Sequence, residues 1–278
     1  MCRLLAMYVT RNNLDHAKAF LHAFVESNKY DPYLEKASKG AIVSHDDGWG
    51  IVVVGYVDNT PSVISNKVLN PIFDEYSKRL MDLIINRLKG YEEVYLLIHA
   101  RKASRKEPYG VEYLHPFMYL AENGAMWFAH NGGAYKEKLA KQFGVYPWIR
   151  VDSELLGYFV MNNVEECIGK GNDMDKCLSE TYKLAKDYVV ERSALNTGLL
   201  FLHNRDSYLY VTHWIKGIVE DDLRNYYLFM RYVSNGIVAM GSISIIEYLD
   251  IDAKKHVELV EPGVYKVHRN NVTMIGQL

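Results

Sequence analysis

The chain has 278 residues, of which 49% are hydrophobic and 24% charged, proportions typical of a globular protein that buries a sizeable core. Its 32 Lys and Arg against 34 Asp and Glu leave a formal net charge of -2, which excludes a general attraction to nucleic acid or anionic lipid. No segment has the ~18 consecutive apolar residues of a membrane span, and charges interrupt the first part of the chain. We therefore expect a cytoplasmic protein without export signal or membrane anchor, folded as a single domain over residues 1–278.

Short runs rich in Val, Ile, Leu and aromatic residues are bounded by Gly, Asn or Asp and predict strands, while longer segments with helical apolar spacing predict helices. In chain order we predict strands over 3–9 and 50–57, a helix over 73–89, strands over 94–100 and 125–131, helices over 152–164 and 174–191, and strands over 197–204 and 207–214. Local Gly or Pro residues predict loops over 31–39, 107–116 and 169–173.

Several strands follow one another without a helix between them. The clearest case is 199–213, where Asn204, Arg205 and Asp206 are typical of a hairpin turn. This order argues against a doubly wound parallel sheet. It predicts the α+β class, with antiparallel sheets flanked by helices.

The cysteines and histidines do not match known metal-site spacings. Cys2, Cys167 and Cys177 form no CxxC pair, and three cysteines cannot all pair with one another, so reduced thiols in a cytosolic protein are the simplest interpretation. The sequence contains no HExxH or mixed Cys/His pattern, and neither GxxxxGK[ST] nor GxGxxG. We therefore predict no metal and no cofactor.

Polar residues follow the ends of apolar strands, where they are placed to face a pocket. In AHNGGA (129–134), Asn131 and Gly132 are typical of a turn because both tolerate positive φ. The pair also suits an oxyanion hole, in which the Asn131 carboxamide and the Gly132 backbone N–H donate to one developing negative charge. The motif alone leaves both interpretations open.

Two charged residues raise the same choice between structure and function. Arg101 in HARKAS (99–104) follows an apolar strand, so it is either a solvated surface charge or a bidentate ligand for a carboxylate. Asp152 in VDSELLGY (151–158) precedes a helical pattern, and Asp152 or Ser153 is suited to cap that helix. The functional alternative for Asp152 is an anion that binds a substrate ammonium.

Taken together, MCRLLA, DGWGI, HARKAS, HPF, HNG and DSE, in this order, resemble the class II glutamine amidotransferases, a group of N-terminal-nucleophile hydrolases. The nearest resemblance is to the stand-alone amidotransferase-like group that has an MCR start and a DGWG segment and includes γ-glutamyl amide hydrolases. The resemblance implies a four-layer αββα sandwich, in which two antiparallel sheets pack face to face with helices outside. It also implies that Cys2 lies at the end of a central strand.

The resemblance assigns roles to individual residues. The implied catalytic residues are the nucleophile Cys2 and the oxyanion donors Asn131 and Gly132. The implied substrate-binding residues are Arg101 for the α-carboxylate, Asp152 for the α-ammonium, Ser104 and His130. The roles of His45, in the loop before DGWG, and of Trp49 stay open, with Trp49 expected in a pocket wall or in the core.

The position of Cys2 has a chemical reason. A methionine followed by a small residue is normally removed, which leaves a free α-amino group beside the Cys2 thiol. An α-amine has a pKa of about 7.7 to 8.0, so part of it is unprotonated near neutral pH and accepts the thiol proton without a histidine. The mechanism therefore requires that Met1 is removed.

Three functions are compatible with these residues. The first is an amidotransferase that releases ammonia from glutamine to a separate synthase subunit. The others are a stand-alone hydrolase of γ-glutamyl amides or peptides and a catalytically silent regulatory subunit that binds glutamine. In each case the expected ligand is a small molecule.

Overall fold

The computed structural model describes residues 2–104, 107–121 and 124–278. The helices are α1 (Leu14–Lys29), α2 (Pro32–Ala37), α3 (Glu75–Leu88), α4 (Lys136–Phe143), α5 (Asp152–Gly169), α6 (Met174–Ala185), α7 (Asp221–Tyr227) and α8 (Ile251–Lys254). The strands are β1 (Cys2–Thr10), β2 (Trp49–Val57), β3 (Thr60–Val68), β4 (Glu93–Arg101), β5 (Phe117–Ala121), β6 (Gly124–Gly132), β7 (Ser193–His203), β8 (Asp206–His213), β9 (Ile215–Lys216), β10 (Phe229–Ser234), β11 (Ile237–Ser242), β12 (Val257–Leu259), β13 (Gly263–His268) and β14 (Asn271–Gln277).

These strands form two antiparallel sheets. The first has the order β12-β10-β11-β1-β4-β2-β3, and the second has the order β14-β13-β8-β7-β6-β5, with β9 paired to β7. β1 therefore lies in the middle of the first sheet, while β6 lies beside the outermost described strand of the second. Cys2 is the first residue of β1 and Asn131 lies near the end of β6, and both lie at the same side of the sandwich.

The sheets pack face to face because their strands are apolar on both sides. In β1, Leu4, Ala6 and Tyr8 lie in the cluster between the sheets, together with side chains of β6 and β8. The alternate residues of β1 pack against α1 and α3 on the outer side of the first sheet. The outer side of the second sheet packs against α4, α5 and α6. The predicted four-layer αββα sandwich of the α+β class is confirmed.

Most predicted elements are present, with shifted ends. The strand predictions correspond to β1, β2, β4, β6, β7 and β8, and the helix predictions correspond to α3, α5 and α6. The hairpin over 199–213 turns at Asn204 and Arg205, which both have positive φ (48° and 73°). The helix predicted to reach residue 191 ends at Ala185 and continues as a single 3-10 turn over Lys186–Tyr188.

Two sequence expectations are wrong. The segment 31–39 is not simply a loop, because Pro32 opens α2 and the Asp31 carboxylate caps it by accepting from the N–H groups of Tyr33 and Leu34. Cys167 and Cys177 are joined by a disulfide, so the expectation of reduced thiols fails for them. The turn between α5 and α6 brings these two cysteines together, while Cys2 stays a free thiol. Within the described residues, no helix combines the length and apolar character needed to cross a membrane.

Leu97 of β4 packs directly against the backbone of β7 in the other sheet. Its side chain is fully buried, and a Cβ atom at Gly198 of β7 would lie only 2.4 Å from Leu97 Cδ1. The sheets therefore interlock at this point, with a side chain of one over the backbone of the other.

We expect Leu97→Ala to lower the free energy of unfolding by about 2–5 kcal/mol, because it removes buried apolar contact and leaves a cavity between the sheets. Leu83→Ala is the matched control, because Leu83 is 67% exposed on α3 and its truncation should change stability by less than about 0.5 kcal/mol. Urea unfolding of both variants checks this. Equal losses for the two would contradict the assigned core.

Candidate active site

Cys2 and Asn131 meet where the two sheets end. Cys2 opens β1 and lies directly opposite Arg101, the last residue of the neighbouring strand β4. Facing them from the second sheet is Asn131 near the end of β6, whose Oδ1 accepts a hydrogen bond of 3.3 Å from the backbone nitrogen of Cys2. Three of the residues singled out from the sequence are thus brought together from strands that are far apart in the chain.

Asn131 has an unused hydrogen-bond donor. Its side chain is fully buried, and the contact with Cys2 occupies Oδ1. Within the described part of the chain, Nδ2 has no hydrogen-bond partner. A buried donor without a partner costs about 1–3 kcal/mol, so such a group in a native fold calls for a ligand or a water. The geometry leaves this N–H pair available to an acceptor beside Cys2.

Arg101 also has an unused hydrogen-bond donor. It is only 4% exposed, and its Nη2 donates to the Pro108 carbonyl at 3.0 Å. Its Nη1 is buried and has no partner among residues 2–104, 107–121 and 124–278. Of the two interpretations from the sequence, a solvated surface charge is ruled out by this burial. The guanidinium retains donor capacity for an acceptor such as a carboxylate.

The DGWG segment fixes the backbone of Arg101. The Arg101 N–H donates to the Gly48 carbonyl at 2.8 Å, and the Asp47 N–H donates to the Arg101 carbonyl at 3.0 Å. Gly48 has a φ of 100°, and a Cβ there would lie 2.7 Å from the Val68 carbonyl, so the position requires glycine. Trp49 lies in the core rather than in the pocket wall, with its Nε1 donating to Ser77 Oγ at 3.0 Å.

The segment after β6 is held by side chains of α5 and β7. The Gly133 N–H donates to Ser193 Oγ and the Ala134 N–H donates to Asp152 Oδ2, each at 2.8 Å. At Gly132, a Cβ would lie 1.9 Å from the Ala194 carbonyl, so only glycine fits this strand end. The backbone of the predicted oxyanion loop is therefore locally well fixed.

Asp152 does not cap α5 as the spacing suggested. The helix begins at Asp152 itself, and the preceding cap position is occupied by Val151, which cannot provide a side-chain bond. Asp152 Oδ1 accepts from the Ser153 N–H at 2.7 Å, while Oδ2 binds the segment after β6. The carboxylate is half-buried, and each of its oxygens can accept further hydrogen bonds.

The two remaining predicted substrate-binding residues are Ser104 and His130. Ser104 is exposed in the segment after β4. His130 points to the opposite face of β6 from Asn131, where its Nδ1 lies 3.0 Å from Ser153 Oγ and its Nε2 lies 3.1 Å from the Ala194 carbonyl. Successive side chains of a strand alternate between faces, so His130 must turn away when Asn131 faces Cys2. This placement argues against substrate contact by His130.

A buried charge cluster next to Cys2 was not predicted from the sequence. Arg3 and Asp31 are fully buried and joined at 2.6 Å between Nε and Oδ2, and His45 Nε2 lies 2.8 Å from the same oxygen. The Arg3 guanidinium lies 3.9 Å from the centre of the Tyr226 ring. Burial opposes ionisation of Asp31, but the Arg3 charge and the hydrogen bonds from His45 and Arg3 outweigh it and lower the pKa of that carboxyl.

This cluster gives His45 a structural position. Burial lowers the pKa of His45 to about 4, so the imidazole is neutral at neutral pH. Arg3 therefore carries the positive charge opposite Asp31. The only sequence signal for the cluster is the presence of ionisable residues beside apolar ones, which does not reveal that three distant segments meet.

A second buried pair lies near Arg101. His99 shares a strand face with Arg101, and its ring centre lies 3.9 Å from that of His115. Both rings are buried, and neither nitrogen of His115 has a hydrogen-bond partner within the described residues. Burial lowers the pKa of both histidines well below the ordinary value. Among the described residues no set of three or more His, Cys, Asp or Glu is arranged to hold a metal ion.

Comparison with solved structures supports the fold. The allosteric regulatory enzyme of purine biosynthesis aligns with 99% of this chain at a TM-score of 0.61 and 13% sequence identity. The chain spans about half of that enzyme, 49% of its length. The chain therefore shares its two-sheet sandwich fold with that enzyme.

A predicted glutamine amidotransferase from Pseudomonas aeruginosa PA01 aligns with 98% of this chain and 95% of its own, at 12% identity and a TM-score of 0.45, which is too low to bear on the fold. No protein-family model and no curated protein sequence matches the chain.

We expect Asp31→Asn to lower the free energy of unfolding by about 3–5 kcal/mol, because it leaves the buried Arg3 charge without a counterion. Asparagine also caps helices well, so loss of the α2 cap should add little. Glu166→Gln breaks a pair in which Glu166 is 68% exposed, and it should leave the unfolding curve unchanged. Chemical denaturation measures both. A loss for Asp31→Asn no larger than that of the control would contradict the buried ion pair.

The buried histidines predict a loss of stability in mild acid. The unfolded chain takes up protons on His99 and His115 as the pH falls below about 6.5, but the folded chain does not, so their contribution to stability is complete above that pH and is lost below it. His115→Phe removes one such group without breaking a hydrogen bond among the described residues.

The denaturant midpoint of His115→Phe should therefore fall less steeply than that of the parent between pH 6.5 and 5. His256→Phe, at an exposed position, is the control and should keep the parental slope. A parental slope for His115→Phe would contradict this origin of the acid sensitivity.

Proposed function

We propose that the chain is a class II glutamine amidotransferase that carries out the glutaminase half-reaction with Cys2 as nucleophile. The observation that carries the proposal is the pairing of Cys2 with Asn131. One side-chain atom of Asn131 contacts the Cys2 nitrogen, and the other is a buried donor without a partner in the described chain. A donor held in this way beside a thiol is what an oxyanion hole requires.

The nucleophile needs a base. Once Met1 is removed, the α-amino group of Cys2 takes the thiol proton, and the thiolate attacks the side-chain carboxamide carbon of glutamine. Asn131 Nδ2 and the Gly132 N–H donate to the oxyanion of the tetrahedral intermediate. The ammonium form of Cys2 then returns the proton to departing ammonia, and a glutamyl thioester remains.

The second half-reaction releases the product. The same α-amino group accepts a proton from water, which attacks the thioester carbonyl while Asn131 and Gly132 again stabilise the oxyanion. Collapse of the intermediate breaks the C–S bond, frees glutamate and returns the proton to the Cys2 sulfur. The chain therefore needs no histidine close to Cys2.

Substrate binding is assigned to the charged residues at the two strand ends. Arg101 donates to the α-carboxylate of glutamine through its unused Nη1, supported by the DGWG segment. Asp152 accepts from the α-ammonium. Ser104 and His130 receive no direct role, because one is exposed and the other lies on the far face of β6.

We expect Asn131→Ala to lower kcat for glutamine hydrolysis by about 10² to 10³, or ~2.7 to 4 kcal/mol, because it removes one oxyanion donor. Cys2→Ala should abolish the activity. Asn163→Ala is the matched control, because the Asn163 amide donates to the Phe159 carbonyl within α5, away from the site, and activity should be retained. The assay follows glutamate release by protein whose intact mass shows that Met1 has been removed.

Three outcomes would contradict the proposal. They are full activity of Cys2→Ala, full activity of Asn131→Ala, and activity of a protein that retains Met1. Assaying γ-glutamyl peptides in parallel separates the alternatives, because fast peptide cleavage without a partner indicates the hydrolase. Glutaminase activity that rises with a co-purifying protein indicates a synthase partner.

A further inference from the structure

Tyr226, at the end of α7, binds the nucleophilic residue directly. Its hydroxyl donates to the carbonyl oxygen of Cys2 at 3.0 Å. Its own carbonyl accepts from Arg3 Nη1 at 2.7 Å, and its ring lies beneath the Arg3 guanidinium. Tyr226 therefore contacts two successive residues at the start of β1, although it lies more than two hundred positions away in the chain.

Tyr227, the next residue, binds the second sheet. Its carbonyl accepts from Asn196 Nδ2 at 2.6 Å, and Asn196 lies opposite Asn131 in the pairing of β6 with β7. Ser193, on the same strand β7, accepts from the Gly133 N–H through its Oγ. Tyr227 is thus connected to the oxyanion segment through β7.

Both strand ends have incomplete backbone ladders at the site. β1 pairs with β11 only from Leu5 onward, so the edge of residues 2–4 that faces β11 has no ladder there. β6 pairs with β5 only up to Phe128, so Asn131 and Gly132 lie beyond that ladder. Apolar packing between the sheets is not directional and does not fix the separation of two such ends. Hydrogen bonds from a third element are directional, so they fix this separation.

We propose that Tyr226 and Tyr227, the tyrosine pair, are positioning residues that hold Cys2 and the Asn131–Gly132 strand end in register across the two sheets. This inference rests on the proposed function for its catalytic consequence. The two rings contact each other edge to face, with centres 4.9 Å apart, so they form one rigid unit. Burial raises the pKa of both phenols, which keeps their hydroxyl groups protonated.

The tyrosine pair acts through Cys2 and the oxyanion segment and does not contact substrate in the proposed mechanism. Its removal should therefore alter the geometry of the transition state more than the binding of the ground state. The expected signature is a fall in kcat with little change in KM. A residue needed only for folding would instead lower the amount of active protein without changing these constants.

The test uses Tyr226→Phe, Tyr227→Phe and the double variant in the full chain. Phenylalanine keeps the ring beneath Arg3 and removes only the hydroxyl. We expect Tyr226→Phe to lower kcat for glutamine about tenfold, the equivalent of one hydrogen bond of about 1.4 kcal/mol, with KM within about twofold. Tyr265→Phe is the matched control, because Tyr265 is also buried and donates to a backbone carbonyl, that of Glu261. It should keep the parental constants.

Amide hydrogen exchange provides a second measurement that needs no activity. The peptide covering residues 2–8 should exchange faster in the double variant than in the parent, because the Cys2 carbonyl loses its hydrogen bond. The peptide covering residues 129–135 should follow, because Asn131 contacts Cys2. Exchange of these peptides should be unchanged in Tyr265→Phe. If the parent does not hydrolyse glutamine, the proposed function fails, and exchange alone decides whether the tyrosine pair tethers the strands.

Two results would overturn the inference. One is parental exchange in both peptides of the double variant. The other is an active parent whose Tyr226→Phe variant keeps the parental kcat, or loses activity only through a raised KM. Active-site titration of each sample corrects kcat for any fraction that has failed to fold.

Discussion

The contact between Cys2 and Asn131 depends on how two antiparallel sheets lie on each other. Neither residue is near the other in sequence, and they belong to different sheets. Their 3.3 Å contact exists because the start of β1 and the end of β6 lie at the same side of the sandwich. Apolar packing between the sheets, with Leu97 over Gly198, brings these strand ends to the same side. The proposed chemistry is therefore a consequence of sheet packing rather than of any local motif.

Buried polar groups divide into two kinds around this contact. Arg3, Asp31 and His45 form a buried ion-pair cluster beside the start of β1, although Arg3 Nη2 also lacks a partner among the described residues. Asn131 Nδ2 and Arg101 Nη1 lack partners in the described chain, which is the pattern of groups that await a ligand. The buried charge of Arg3 therefore has a different role from that of Arg101, although both residues lie beside Cys2. The Arg3 charge balances that of Asp31 within the fold, whereas in the proposed mechanism the Arg101 charge binds substrate.

The sequence predicted the fold class and the meeting of Cys2, Arg101 and Asn131, because ordered motifs at strand ends carry this information. It did not predict α2, since a Pro after an Asp is typical of both a loop and a helix start. β3 lies outside the predicted set because it is a mostly exposed edge strand with polar residues and Pro61, so it lacks an apolar run. The direction of His130 was missed because a motif names neighbours without stating which face each occupies. The role of the tyrosine pair could not be predicted from the sequence, because only the folded chain brings residues 226 and 227 close to residue 2.

A chloromethyl ketone analogue of glutamine tests the central claim most directly, because it alkylates the residue that attacks the substrate. Protein from which Met1 has been removed is incubated with the analogue, and the labelled peptide is identified by mass spectrometry. We expect a single adduct on Cys2, formed more slowly in Asn131→Ala and prevented by excess glutamine. Labelling of a residue other than Cys2, or labelling of Cys2 at a rate that neither glutamine nor Asn131 affects, would contradict the assignment of this contact as the catalytic centre.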